Sequence, residues 1–347
     1  MRSLKKLTKN SIFFILAGLL TLLLMEGYIR YGEIQSLSNF EVDSVHGKRL
    51  RARVPMLYLM EGFYMGEVNE YGYLGPGYAP EKEHNTYRVA LLGDSYVEGF
   101  QLFDRHHFRH ILENSLQNKM AKTVEVLNFG RSGFTLADMY VYYKEFADQF
   151  EPDIYLVFVH NNDFFEQSYQ ALLPKVVIQQ DSLVIKRPFI QNKAFHQYQK
   201  TAFFRENSTY LRMMNNGIKL IKEGVMPEIL LGKFYNPGLK EGEGNTNQVA
   251  EESMPQMPEA NKATLEAFAG DAKVIFVLGE KPQLEIAGFL KNSNALVIPI
   301  WEEFHAMREE GIYPNYWEAT GKYGHWNQEA HKKLAEQISS ELGKEKY

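Results

Sequence analysis

Arg88-Val89-Ala90-Leu91-Leu92-Gly93-Asp94-Ser95-Tyr96-Val97-Glu98-Gly99 is the stretch on which the fold turns. A short apolar run bounded by turn residues reads as a buried strand. The chain then bends at Gly93-Asp94 and presents a serine where a parallel strand hands over to a helix. In open α/β sheets, ligands and chemistry gather at the carboxyl ends of the strands. A hydroxyl held there is placed to act as a nucleophile if a base can reach it. Ser95 is therefore the residue from which the functional reading starts.

The same rhythm continues outward from that strand. His106–Met120 reads as a helix with Asp104 as N-cap, Val124–Asn128 as a second strand, and Leu136–Phe150 as a second helix begun by Thr135. Ile154–His160 is a third strand. Strands alternating with helices of this length imply βαβ units and a parallel sheet. The rhythm breaks after His160. Lys175–Ile178 and Leu183–Lys186 look like a hairpin, a helix is expected around Tyr210–Glu223, and residues 236–262 read as a loop. It resumes with a strand at Val274–Leu278, a helix at Pro282–Lys291 and a strand at Ala295–Ile298. Asn327–Leu342 closes the chain as a helix, with Ala330, Leu334, Ile338 and Leu342 on one face. The expectation is a three-layer α/β/α domain over 87–342 with a mostly parallel, flavodoxin-like sheet. An insertion at about 161–270 would carry specificity, as loops over a scaffold usually do.

Residues 1–30 and 31–86 stand apart from that domain. Arg2, Lys5, Lys6 and Lys9 precede an apolar run from Ile12 to Met25. The run is short for a spanning helix, but its flanks extend it, and no small-x-small cleavage site follows. An uncleaved N-terminal signal anchor is the preferred reading, ahead of a cleaved signal and a buried core helix. The basic flank then stays in the cytoplasm and the remainder is exported, to the periplasm or cell surface. Residues 31–86 form a turn-dense approach segment. With 45% hydrophobic residues, 23% charged residues and a net charge of -5, the 347-residue chain has an ordinary globular composition and no basic stripe for nucleic acid. The absence of cysteine excludes disulfides, thiolate metal sites and a cysteine nucleophile.

Four blocks fall at strand ends or beside a helix start: Gly93-Asp94-Ser95, Asn128-Phe129-Gly130-Arg131-Ser132-Gly133, His160-Asn161-Asn162-Asp163 and Gly324-His325-Trp326-Asn327. Each alone has a plain alternative. Gly-Asp-Ser can be a capping turn, Asn162 a turn residue, and His325 an ordinary helix-start histidine. Together they bring a hydroxyl, an imidazole and backbone donors to one edge of a sheet, which is what acyl transfer needs. His331 reads as a surface residue of the last helix. Trp326 packs the loop of His325 or offers a sugar platform. His106 and His110 have a metal-ligand spacing but no completing ligand.

In these blocks the chain resembles the SGNH (GDSL-like) hydrolase superfamily, over roughly 88–163 and 273–342. The resemblance implies Ser95 as nucleophile and His325 as base. It implies an oxyanion hole from the Ser95 and Gly133 amides and the Asn162 side chain, with no metal or organic cofactor. The final block, with the anchor before it, looks like membrane-anchored bacterial members, some relatives of which modify extracellular polysaccharides. Two departures stand out. His160 replaces a family glycine, and Lys322 and Tyr323 stand where the family carries the Asp that orients the histidine. Loss of an orienting carboxylate can cost about 10⁴ in turnover. Glu318, Asp163 or a backbone carbonyl are the candidates to replace it. The expected activity is hydrolysis of an acyl or acetyl ester on a glycan or lipid. The alternatives are an acyltransferase working with polysaccharide-modification machinery and a non-catalytic glycan-binding protein.

Overall fold

A five-stranded, fully parallel sheet carries the main unit, and the apolar runs of its three inner strands explain why: they are covered on both faces. The computed structural model describes residues 2–344 apart from 33, 35, 36, 59, 60, 166–170 and 223–255. Two units separate, Asn39–Gln199 with Pro255–Tyr347, and Met1–Ser38 with Lys200–Met254.

The first unit begins with two antiparallel hairpins, β1 (Phe40–Asp43) with β2 (Gly47–Leu50) and β3 (Pro55–Tyr58) with β4 (Tyr64–Glu67). The main sheet is built from β5 (Thr86–Leu92), β6 (Thr123–Asn128), β7 (Ile154–Val159), β10 (Val274–Leu278) and β11 (Leu296–Ile298). Between β7 and β10 lies a further hairpin of β8 (Lys175–Gln179) and β9 (Ser182–Lys186). Strand order across the sheet is β11-β10-β7-β5-β6. This is the flavodoxin-like order, whose switch point lies between β5 and β7, where such folds bind ligands.

Alternation along the strands sends successive side chains to opposite faces. Ala90, Leu92, Leu127, Tyr155, Val157 and Phe276 join one core, with Leu136 and Met139 of α4 (Leu136–Glu145), Leu265 and Phe268 of α8 (Glu259–Ala269) and Ile286 of α9 (Leu284–Asn292). Val89, Leu91, Val126, Leu156, Phe158 and Val277 join the other. They meet Phe108, Leu112 and Leu116 of α3 (Phe108–Gln117), Phe304 of α10 (Ile300–Glu309) and Leu334 and Ile338 of α11 (Gln328–Lys344). Three layers result. Two short helices, α2 (Ser95–Glu98) and α5 (Asn161–Phe165), follow β5 and β7 directly. A small hairpin, β12 (Tyr316–Trp317) with β13 (Lys322–Tyr323), precedes α11.

The second unit contains α1 (Arg2–Tyr31) and α7 (Thr209–Lys222), and takes in the end of α6 (Lys193–Asn207). α1 includes one stretch, Asn10–Tyr31, long and apolar enough to cross a membrane.

Several sequence expectations need correction. α3 is capped by His107, whose Nδ1 accepts the Arg109 N–H at 3.1 Å, and not by Asp104, which opens a 3-10 turn and pairs with Arg109. The helix from Leu136 ends at Glu145, before a separate 3-10 turn at Ala147–Phe150. Within the segment read as a loop, 236–255 lies outside the described residues, while Glu259 already begins α8, held by burial of Leu265 and Phe268. His331 is 1% exposed, the reverse of a surface residue. Its Nδ1 accepts the Phe108 N–H at 3.1 Å.

Candidate active site

Ser95 is fixed by the way the chain leaves β5. A Cβ on Gly93 would lie 2.3 Å from Val97 Cγ2, so only glycine lets α2 fold back against the strand end. Asp94 caps α2 by accepting the Tyr96 N–H at 2.9 Å. Gly99 closes the helix at φ +70°, a left-handed conformation natural to glycine, and a side chain there would strike His107.

The loop after β6 is tied to the same turn. Asn128 Nδ2 donates to Val97 O at 2.9 Å, and its Oδ1 accepts the Gly130 N–H at 3.0 Å. Glu98, buried at the end of α2, accepts the Ser132 N–H at 2.8 Å and the Ser132 hydroxyl. Burial pushes the Glu98 carboxyl upward, and Arg131, 3.6 Å away, opposes that shift. Gly133 follows at φ +76°. Ser95, Tyr96, Gly133, Phe134, Asn162 and Glu280 line a cleft of about 410 Å³, with Asn162 exposed to solvent within it.

His325 reaches Ser95 from the far end of the chain. Its Nε2 lies 2.8 Å from Ser95 Oγ. Trp317 Nε1 donates to the His325 carbonyl at 2.9 Å, and Asn327 Nδ2 donates to the carbonyls of Tyr313 and Tyr316 at 2.8 Å, so the loop before α11 is braced. Trp326 is 4% exposed and packs in tilted contact with the rings of Tyr96, His160 and Phe304, which makes it packing and not a sugar platform.

The carboxylate at His325 is one that sequence reasoning missed. Glu61 Oε2 lies 2.9 Å from His325 Nδ1 and also accepts the His325 backbone N–H at 2.9 Å. Glu61 belongs to the turn between β3 and β4. Thr320 Oγ1 donates to its carbonyl at 2.8 Å, and Phe63 N–H donates to Gln101 O at 3.0 Å. A Cβ on Gly324 would lie 2.3 Å from Glu61 Cδ, so the glycine before the histidine makes room for this carboxylate. Of the two carboxylates anticipated from sequence, Glu318 is exposed. Asp163 accepts the His160 N–H at 2.8 Å. Neither holds the position that Glu61 occupies.

His160 stands at the place of the family glycine with its ring tilted against that of Tyr96, the centroids 4.7 Å apart. Among the described residues, Asp94, His160 and Asp163 present ligand atoms within 4.8 Å of one another, so this group has the donors to hold a cation.

The α/β/α fold thus brings a hydroxyl, an imidazole and a carboxylate into series at its switch point. The model of the GDSL-like lipase/acylhydrolase family matches residues 89–338, more than half of the chain. The chain belongs to this family and is an SGNH-type ester hydrolase. Similar solved structures include Axe2, an acetylxylan esterase from Geobacillus stearothermophilus, with 14% identity and a TM-score of 0.37 over 74% of this chain and 94% of that one. Another is the lipase/acylhydrolase from Enterococcus faecalis, with 15% identity and a TM-score of 0.34 over 74% and 96%. A third is LAE5, an α/β hydrolase from the metagenome of Lake Arreo, with 13% identity and a TM-score of 0.38 over 74% and 95%. No curated protein matches the chain.

Proposed function

We propose that the protein is a membrane-anchored, extracytoplasmic esterase that removes a short acyl group, such as acetyl, from a glycan or lipid through a Ser95–His325–Glu61 relay. The carrying observation is the series of contacts from Ser95 Oγ to His325 Nε2 at 2.8 Å and from His325 Nδ1 to Glu61 Oε2 at 2.9 Å. With Nδ1–H donated to the carboxylate, the Nε2 lone pair faces the serine hydroxyl. His325 takes the Ser95 proton as Oγ attacks the ester carbonyl. The protonated imidazole, held beside Glu61, then gives that proton to the leaving alkoxide, and an acyl-enzyme remains. Water enters, loses its proton to Nε2, and releases the acid as Ser95 is reprotonated.

The Ser95 and Gly133 amides and the Asn162 amide are assigned to the developing oxyanion, each such donor being worth about 3 kcal/mol. The cleft beside them carries Asp94, His160, Asp163 and Glu280, a polar and acidic lining. That lining favours a short acyl chain and disfavours an anionic one. The anchor assignment is supported by the Asn10–Tyr31 stretch and the basic residues before it, which favour a cytoplasmic N-terminus.

Turnover of p-nitrophenyl acetate and labelling by a fluorophosphonate test the reading. Both should vanish in Ser95→Ala with the thermal transition unchanged, and p-nitrophenyl octanoate should be the poorer substrate of the wild type. Activity surviving in Ser95→Ala would overturn the assignment.

A further inference from the structure

The unit that contains α1 holds an arrangement that ester chemistry does not use. α1 contains the long apolar stretch Asn10–Tyr31, and Glu26 stands slightly more than one turn before its end. The Glu26 carboxylate accepts the N–H groups of Thr209 and Tyr210 and the hydroxyls of Ser208 and Thr209, each at 2.9 Å. These are the donors that the first turn of a helix leaves over, so Glu26 caps α7 from another helix. Arg30, one turn further along α1, pairs with Glu26 and donates to the Asn207 carbonyl. Arg212, in the first turn of α7, donates to the carbonyl of Leu37 just beyond α1. α7 therefore starts where α1 ends.

The surface of α7 is divided by sector. Leu211, Met214, Ile218 and Ile221 are 43%, 45%, 47% and 64% exposed. At 3.6 residues per turn they share an arc of about 80°. Thr209 is buried, while Asn216 is exposed on the side opposite Ile218. Phe203 and Phe204, near the end of α6, are 73% and 59% exposed; Lys200 and Arg205 are exposed beside them in sequence, and Lys222 is exposed at the end of α7. Fourteen residues are too few to span a bilayer. A bare apolar stripe flanked by basic side chains is the pattern of helices that lie in the plane of a membrane.

We propose that α7 is an interfacial helix. It lies in the leaflet from which α1 emerges, with Leu211, Met214, Ile218 and Ile221 at the boundary of headgroups and acyl chains and the basic residues at the lipid phosphates. The stripe begins at the end of a candidate membrane span, and that continuity selects lipid over a second protein chain as its partner. The inference rests on α1 as a membrane helix and is independent of the ester chemistry.

The chain has no cysteine, so Ile218→Cys and Asn216→Cys each carry a single environment-sensitive NBD label on the full-length protein. The labelled proteins are reconstituted in phosphatidylcholine vesicles containing phosphatidylglycerol, with iodide on both sides of the bilayer. Retained p-nitrophenyl acetate turnover reports that each variant has folded. The label at 218 should emit further to the blue, be quenched by a lipid with a doxyl group high on its acyl chain, and be about threefold better protected from iodide than the label at 216. Equal iodide quenching at both positions, with no doxyl quenching at 218, overturns the proposal. Protection at 218 from both quenchers overturns it as well, because protein then covers the stripe. Carbonate washing reads α1 separately. A chain stripped from the vesicles removes the span and the interfacial helix together, whereas a retained chain with an iodide-accessible 218 removes the helix assignment alone.

Discussion

Replacing Glu61 with Gln tests the proposed relay at its least expected member. One oxygen, Oε2, receives both the ring N–H and the backbone N–H of His325 at 2.9 Å. An amide keeps the shape but removes the charge that stabilises the imidazolium formed as Ser95 attacks. Two unit charges about 4 Å apart interact by about 4 kcal/mol at an effective dielectric near 20, or about 10³ in rate. The side chains are 19% and 25% exposed, and solvent screening trims that figure. The expectation is a fall of about 10²–10³ in kcat, with KM within a factor of about three, below the roughly 10⁴ seen for a fully buried triad acid. Steady-state kinetics on p-nitrophenyl acetate measures the split, with the thermal transition as control for folding. Glu318→Gln should leave both constants unchanged. If Glu61→Gln retained kcat within a factor of about three of wild type, the carboxylate would be structural and the reasoning from geometry to chemistry would fail.

Two further outcomes follow from local geometry. Gly324→Ala places a methyl 2.3 Å from Glu61 Cδ. Because misplacement by about 1 Å can cost about 10² in rate, activity should drop by that order while the melting temperature moves little, and full activity would show that Glu61 is free to shift. Burial, helped by Arg109, depresses His107 to about 3, and burial likewise holds His331 well below its ordinary value. Unfolding lets both take up protons near 6.5, so the stability they confer is complete above that pH and is lost as pH falls below it, toward about 3 for His107. Each contributes a slope of up to about 1.4 kcal/mol per pH unit. Urea midpoints at pH 7 and 5 should show this slope, and it should flatten in His331→Gln. An unchanged slope would refute the attribution.

The central sheet was legible because its strands are apolar runs closed by turn residues. Val274–Leu278 is read identically in sequence and structure, and the four blocks that end strands or precede α11 include Ser95 and His325, which meet at 2.8 Å. What escaped was fixed by contacts remote in sequence. Glu61 lies in a segment without hydrophobic period, placed by the Thr320 hydroxyl and the Gln101 carbonyl. The available hint was the glycine at 324, explained only when its neighbour Glu61 is known. His331 was misread because α11 buries a wider arc than the stripe of Ala330, Leu334, Ile338 and Leu342. Ala335 and Ser339 are buried with it, and the Ser339 hydroxyl lies 2.7 Å from that of Ser115.

Glu61 also separates what this chain shares with its family from what the proposed turnover requires, because the shared region begins only at residue 89. A fragment trimmed to that start would keep most of the pleated core, the nucleophile and the base, yet leave water where the anion now rests. In the proposed relay the third member belongs to a stretch with no layer of its own. The place of the charge is constrained, not its address along the polymer, and any segment able to deliver an oxygen to that spot could inherit the duty.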